Sequence, residues 1–316
     1  MMQKPRLALV IPCYNEEAVI ETTIERLLAT LQQLIESQNI SSNSYLCFVD
    51  DGSLDQTWAL LMNAHEHNNA VKVLKLSRNY GHQHALLAGL NYVKDHCDCA
   101  ISIDADLQQD EAAIEEFLKK YREGSEIVFG IRSDREADNI FKKTTALFFY
   151  SFMKVLGVKI LKNHADFRLM SRNALQALSE YSEANIFLRG VVLDLGFPSS
   201  IVYFTTKERF AGETKYSFKK MLAFAFNGII GFSSYPLRVI GLIGVCIFLV
   251  CVLQILYILF LKLEGVAIPG WASTVLPIYF IGGIQLICLG VVAEYLGRIY
   301  KEVKNRPKYI VEKKLD

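Results

Sequence analysis

Two stretches near the C-terminus, Val239 to Leu261 and Ala272 to Ala293, carry no charged side chain, with Gln254 and Gln285 as their main polar interruptions. About 20 apolar residues in a helix cross the hydrocarbon core of a bilayer, so each stretch is predicted to span a membrane. Two such runs joined by the tight segment "KLEGVAIPGW" are rare in a soluble core. Arg238 precedes the first run, and Arg298, Lys301, Lys304, Arg306 and Lys308 follow the second, while the connecting segment offers only Lys262. Positive flanks stay inside, which predicts a multi-pass membrane protein with both flanks and the large N-terminal region on the cytoplasmic side. The opening "MMQKPRLALVIPCYNEE" stops its short apolar run at Pro12 and is not expected to act as a secretory signal.

The remaining chain is expected to be an ordinary globular domain. Hydrophobic residues make up 52% of the sequence, and the excess sits in the two C-terminal runs. A net charge of +1 argues against a nucleic-acid binder held by overall basicity. The seven cysteines are odd in number and scattered, so they indicate no disulfide framework. Cys97 and Cys99 beside His96 read as a strand entry, since no second ligand pair follows at zinc spacing. The pairs His65/His67 and His82/His84 read as surface positions.

From Arg6 to Gly130 the pattern alternates. The apolar runs "LALVIP", "YLCFVD", "VKVLKL", "CAISID" and "EIVFG" read as strands. Between them lie helical patterns: Ile20 to Ile35, then near Gln56 to Ala64, His84 to Lys94 and Ala112 to Arg122. Continuous β-rich runs separated by amphipathic helices predict a parallel sheet covered on both faces. Ligands of such sheets bind beyond the carboxyl ends of the strands. The polar clusters fall there: "PCYNEE", "DDGS", "SRNYGHQH", "DADLQQD" and "GIRSD".

The fourth cluster is the most telling, because an unpaired carboxylate at the end of a core strand is costly. Asp104 and Asp106 flank Ala105, and two aspartates in a turn serve either to cap a helix or to meet a cation. With Gln108 as a neutral oxygen ligand, the set suits Mg²⁺ or Mn²⁺, whose shells are completed by water and substrate phosphates.

The ordered segments "IPCYNEE", "VDDGSLDQT", "SRNYGHQHALLAGL", "DADLQ", "DFRLMSR", "RFAGETKYS" and "YLGRIYKEVKNRPKYIV" resemble the family 2 glycosyltransferases of the GT-A fold that make polyprenyl-phosphate sugars. The resemblance covers nearly the whole chain. It is strongest to the bacterial bactoprenol glucosyltransferases of O-antigen modification, with dolichyl-phosphate mannose synthase more distant. It implies a Rossmann-like α/β domain with a mixed, mainly parallel sheet, followed by interfacial helices and two C-terminal transmembrane helices.

The same resemblance implies roles for individual residues. Pro12, Tyr14 and Glu16 match a nucleotide-contacting segment, and Val49 with Asp51 the positions that hold base and ribose. Asp104, Ala105 and Asp106 match the triplet around metal and diphosphate, with Asp104, Asp106 and Gln108 as the metal set. Arg132 matches an active-site arginine, and Arg209 with Lys215 the basic pair near donor and acceptor phosphates. A forked guanidinium and a lysine suit phosphate oxygens. Asp166 matches an aspartate of the glucosyl branch, either as base or as a group that orients a sugar. Arg168 pairs with a phosphate or with Asp166. Thr214 stands where serine is common, and "QQDE" lacks the usual proline. Neither departure should abolish activity.

The expected organisation is a cytosolic glycosyltransferase domain over 1–216, amphipathic juxtamembrane helices over 217–235, a transmembrane hairpin over 236–297 and a basic tail over 298–316. In the juxtamembrane part Lys219 and Lys220 lie beside Phe218, Leu222, Phe224, Phe226 and Ile229, a pattern that suits the membrane surface. The implied reaction is inverting transfer of one hexose, glucose from UDP-glucose, to undecaprenyl phosphate. Alternatives are another donor, GDP-mannose or a UDP-aminoarabinose derivative, or a non-catalytic sugar-nucleotide-binding partner of a flippase. A processive synthase is disfavoured, since no Gln-x-x-Arg-Trp motif occurs. Implied partners are the donor, the lipid phosphate, a flippase and a downstream membrane glycosyltransferase. Gly283, Gly290 and Gly297, seven residues apart, make a smooth stripe for helix packing, either within the hairpin or in a homo-oligomer.

Overall fold

Strand β1, Leu7–Cys13, is buried at every position. It lies between β2, Tyr45–Asp50, and β4, Cys99–Ser102, both parallel to it. This is the environment that a continuous apolar run requires. The computed structural model describes residues 4–106, 108–133, 164–183, 186–205, 235–263 and 270–316.

Helix α1, Ile20–Glu36, buries Ile20, Ile24, Leu27, Leu31 and Leu34, which recur at helical spacing. They join Leu7, Leu9 and Ile11 in the main core. The helices that follow β2, β3 and β4 are α2, Thr57–His67, α3, His82–Val93, and α4, Ala113–Arg122; β3 is Val71–Leu76 and β5 is Ile127–Arg132. α3 packs against β1 and β2 so closely that a Cβ on Gly89 would lie 2.4 Å from Val10 Cγ1 and 2.8 Å from Val49 Cγ2. Only glycine permits that approach in "ALLAGL".

Three strands complete the sheet beyond the five expected. β6, His164–Ser171, inserts antiparallel between β4 and β5. Ser171 then caps α5, Arg172–Ser179, its Oγ accepting from Ala174 N at 3.1 Å. After α6, Leu188–Asp194, comes β7, Ser199–Phe204, parallel to β5. The C-terminal strand β8, Val311–Leu315, pairs antiparallel with β3. The order is β7-β5-β6-β4-β1-β2-β3-β8, a mixed, mainly parallel α/β sheet. The end of the basic tail is therefore an edge strand of the sheet.

Two long helices form a separate unit: α7, Tyr235–Leu263, and α8, Trp271–Val303. Within α8 the stretch Phe280–Val303 is long and apolar enough to cross a membrane, and the apolar stretch in α7, Ile240–Gln254, is shorter. Both helices expose large apolar side chains, among them Leu242, Leu253, Phe260, Phe280, Leu286 and Ile287. The expected juxtamembrane segment, Arg209 and Lys215 lie outside the described residues.

Candidate functional site

The loops after β1 and β2 are laced into one platform. Asn15 N donates to Ser53 Oγ at 3.0 Å, and Leu54 N donates to Asn15 Oδ1 at 2.9 Å. Glu16 N donates to Thr57 Oγ1 at 2.9 Å, and Gln56 N to Glu17 Oε2 at 3.0 Å. Pro12 pairs with Val49 across the ladder, and Tyr14 is exposed just beyond. Val49 itself is fully buried.

Asp51 joins the second cluster to the third. Its Oδ1 accepts from Tyr80 N at 2.7 Å and its Oδ2 from Gly81 N at 2.8 Å. Burial pushes its carboxyl up from the ordinary value, and the two N–H groups oppose that shift. The expected role at base and ribose therefore meets a buried carboxylate already engaged by two backbone donors. Gly52, at φ +69°, sits where a Cβ would come within 2.6 Å of the Arg78 carbonyl carbon. A side chain there would collide with backbone.

At the exit of β4 the chain turns at Ala105, whose carbonyl accepts from Thr23 Oγ1 of α1 at 2.8 Å. Asp104 is held by Gln109 in both directions. Asp104 N donates to Gln109 Oε1 at 3.0 Å, and Gln109 Nε2 donates to Asp104 Oδ2 at 2.6 Å. Gln108 N donates to Asp106 Oδ1 at 3.1 Å. Burial raises the Asp104 carboxyl; His82 opposes the rise, and the negative charges of Asp166 and Asp106 reinforce it.

Asp166, at the start of β6, faces the same exit. Arg168 Nη2 donates to its Oδ1 at 2.5 Å, and Arg189 of α6 grips both oxygens. His82 Nε2 lies 3.6 Å from Asp104 Oδ1 and 3.7 Å from Asp166 Oδ2. Burial alone would raise the Asp166 carboxyl, but Arg189 and Arg168 hold it well below the usual carboxylate range. Arg168, expected at the acceptor phosphate, is 1% exposed. It pairs with Asp166, the other role expected of it. Arg132 ends β5, and its buried Nε has no hydrogen-bond partner among the described residues. Such a donor is what a phosphate oxygen satisfies.

The donor set at the β4 exit fits a hard divalent cation. Asp104, Asp106 and Gln108 offer oxygen atoms on one short turn, and Mg²⁺ or Mn²⁺ binds through few protein groups plus substrate phosphates. Among the described residues no group of three or more His, Cys, Asp or Glu side chains is placed to hold a metal.

Three residues of the site escape a reading by motif: His82, Gln109 and Arg189. Gln109 stands beside Gln108 in "LQQD", and only burial separates them, since Gln109 is 1% exposed. Arg189 is a lone cation in the apolar run "IFLRGVVL", a signal that a partner carboxylate should exist. His82 looks like surface until the strand ends are brought together.

Residues 8–179 match glycosyl transferase family 2, and residues 235–299 match the GtrB C-terminal hairpin. The chain is 50% identical to the uncharacterized glycosyltransferase YkoT of Bacillus subtilis (strain 168), covering 98% of this chain and 92% of that one. It is 36% identical to the SfII prophage-derived bactoprenol glucosyl transferase of Shigella flexneri, covering 98% of each. A prophage bactoprenol glucosyl transferase homolog of Escherichia coli (strain K12) is 35% identical, covering 98% of this chain and 99% of its own.

Proposed function

The chain belongs to glycosyltransferase family 2, and from that premise we propose that it transfers one hexose, glucose from UDP-glucose, to undecaprenyl phosphate at the cytoplasmic face of the membrane. The observation that carries the reading is the charge arrangement at the strand ends: Asp104 and Asp106 at the exit of β4, and Arg132 near enough to act on the Asp104 charge, with a buried Nε that has no partner among the described residues. The bactoprenol glucosyl transferase of Shigella flexneri, similar over nearly its whole length, supports the lipid acceptor and the sugar.

In this reading the laced loops after β1 and β2 carry the nucleoside, with Tyr14 at its edge. Asp104 and Asp106 stand toward the diphosphate, and Arg132, Arg209 and Lys215 neutralise phosphate oxygens. A bound Mg²⁺ or Mn²⁺ would supply charge stabilisation for the departing nucleoside diphosphate. An acceptor phosphate oxygen attacks the anomeric carbon as the bond to the diphosphate oxygen breaks, which inverts that centre. The nucleophile is already anionic near neutral pH and needs no proton removed. Asp166, fixed as a carboxylate by two arginines, orients groups around it.

Helices α7 and α8 serve as two membrane spans, with α8 running on past 297 to Val303 before the basic tail. The basic aromatic segment over 217–235 would bring the lipid phosphate to the domain.

The test is direct. Purified protein, polyprenyl phosphate, Mg²⁺ or Mn²⁺ and a panel of labelled sugar nucleotides should yield a lipid-linked sugar, most rapidly from UDP-glucose. Nucleotide binding without product from any donor would overturn the reading.

A further inference from the structure

We infer that Gln109 is a positioning residue: it clasps Asp104 by backbone and side chain together, and so presents Asp104 Oδ1 in one fixed direction to the divalent cation that accompanies the donor diphosphate. The inference rests on the glycosyltransferase reading above, and it gives a role to a side chain outside the expected metal set.

The clasp is made of two hydrogen bonds of ordinary geometry. Asp104 N donates to Gln109 Oε1 at 3.0 Å, and Gln109 Nε2 donates to Asp104 Oδ2 at 2.6 Å. Each bond fixes the sense of the other. A backbone N–H can only donate, so the amide turns its oxygen there and its nitrogen meets Oδ2 as a donor. Gln109 is 1% exposed, and a buried amide is costly unless its polar ends are bonded. Asp104 satisfies both ends.

The backbone of the turn is held by other contacts as well. Ile103 N donates to Val10 O at 3.0 Å, Thr23 Oγ1 donates to Ala105 O at 2.8 Å, and Gln108 N donates to Asp106 Oδ1 at 3.1 Å. Among the described residues, the hydrogen bond to the Asp104 carboxylate comes from Gln109. The contact at Oδ2 therefore adds what those bonds do not, a stop on rotation of that carboxylate.

Oδ1 is left as the oxygen for a ligand. His82 Nε2 lies 3.6 Å from it, beyond hydrogen-bond length, and the Asp104 side chain is 30% exposed. Two adjacent glutamines thus divide the work: Gln108 stays half-buried in the expected metal set, while Gln109 turns inward to Asp104. A carboxylate already anchored through one oxygen loses less freedom when the other takes an ion.

The experiment uses the full chain in lipid nanodiscs and measures UDP affinity by calorimetry with and without Mn²⁺, so that the gain due to the ion is read as a ratio. Wild type is compared with Gln109→Met, which keeps the length and removes both bonds, and with Gln109→Asn, whose amide is one methylene short. Ser125→Ala is the control, since it loses a 2.7 Å bond to Ser200 Oγ at the end of β5 away from Arg132. Groups that orient a metal ligand typically carry about 10- to 100-fold in metal affinity. Gln109→Met should lower the ratio by about that factor while metal-free UDP affinity stays at the wild-type level. Gln109→Asn should fall between the two, and Ser125→Ala should match wild type. An unchanged ratio in folded Gln109→Met overturns the inference, and so does a loss that is equal with and without Mn²⁺, because a merely loosened turn lowers both affinities. Should Gln109→Met fail to fold, Gln109→Asn decides by the same two criteria. A wild type whose UDP affinity does not rise with Mn²⁺ also overturns it. If wild type shows that rise but transfers no sugar, the transfer reading fails, and the ratio still decides the role of Gln109.

Discussion

Arg189 grips Asp166 with two nitrogens, Nε donating to Oδ1 at 3.2 Å and Nη2 to Oδ2 at 2.8 Å. With Arg168 on Oδ1 as well, this carboxylate carries two guanidinium partners in a site where its side chain is only 12% exposed. A general base works best when its pKa lies near the operating pH. Asp166 lies far below it.

Two outcomes follow for Asp166. The pH profile of kcat should show no limb from this residue between about pH 5 and 8, because a depressed pKa keeps it ionised throughout. Asp166→Asn should lower stability by about 3–5 kcal/mol, since it leaves buried guanidinium charge uncompensated. The sign with pH is fixed. A carboxylate with a lowered folded pKa contributes stability above its unfolded value, about 3.9, and loses it as pH falls toward the folded value. The difference between wild type and Asp166→Asn in thermal unfolding should thus be constant from pH 5 to 8. A difference that shrinks on lowering the pH from 7 to 5 would contradict the clamp.

Asp51 tests the platform. Asp51→Asn replaces one acceptor oxygen with an N–H₂ group that faces a backbone donor from Tyr80 or Gly81. A buried donor left unsatisfied costs about 1–3 kcal/mol. Gly52→Ala should cost at least as much, through both positive φ and the 2.6 Å approach to Arg78. Nucleotide affinity should fall in both, measured by calorimetry against the thermal midpoint. Wild-type values for both variants would mean that the loops are set by other contacts.

Much of the sheet was legible because buried parallel strands announce themselves as apolar runs. The turn from β4 into "DADLQQD" was visible for the same reason. β6 was harder. It alternates apolar residues with His164, Asp166, Arg168 and Ser171, and it inserts antiparallel between β4 and β5 rather than continuing the parallel series. The charges in it are matched across chain distance, Asp166 to Arg189 and to His82, and single-sequence periodicity carries no record of such pairs. Asp51 and Val49 show the converse. A motif marks them as ligand positions, and the structure adds what no motif shows, a backbone clasp on Asp51 and the burial of Val49. The tail reads as a basic run, whereas pairing with β3 turns its end into a strand.

Strand β8 covers the β3 edge and is fastened beyond its ladder. Ser77 N donates to Ile310 O at 3.0 Å, Asn91 Nδ2 to Tyr309 Oη at 2.9 Å, and Tyr92 Oη donates to Asp316. Deleting residues 311–316 would expose an edge whose unpaired N–H and C=O groups invite pairing with another chain. We expect a lower thermal midpoint and aggregated material in size-exclusion chromatography. A truncated protein that stays monodisperse at the wild-type midpoint would show that the strand is dispensable for the fold.

The glycines of α8 bear on assembly. Among the described residues, a Cβ placed on Gly283, Gly290 or Gly297 would meet nothing within 4 Å. In lipid, close approach of smooth helix faces supplies much of the association energy, because hydrocarbon chains are as apolar as leucine. We propose that this stripe packs against a second copy, giving a homo-oligomer, rather than within the hairpin. Gly290→Leu places a branched side chain in the middle of that face. It should lower the oligomer fraction in mild detergent, read by mass photometry or native mass spectrometry, while nucleotide binding by the first unit stays at the wild-type level. An unchanged mass distribution, or a wild type already monomeric in native-like bilayers, would assign the stripe to lipid.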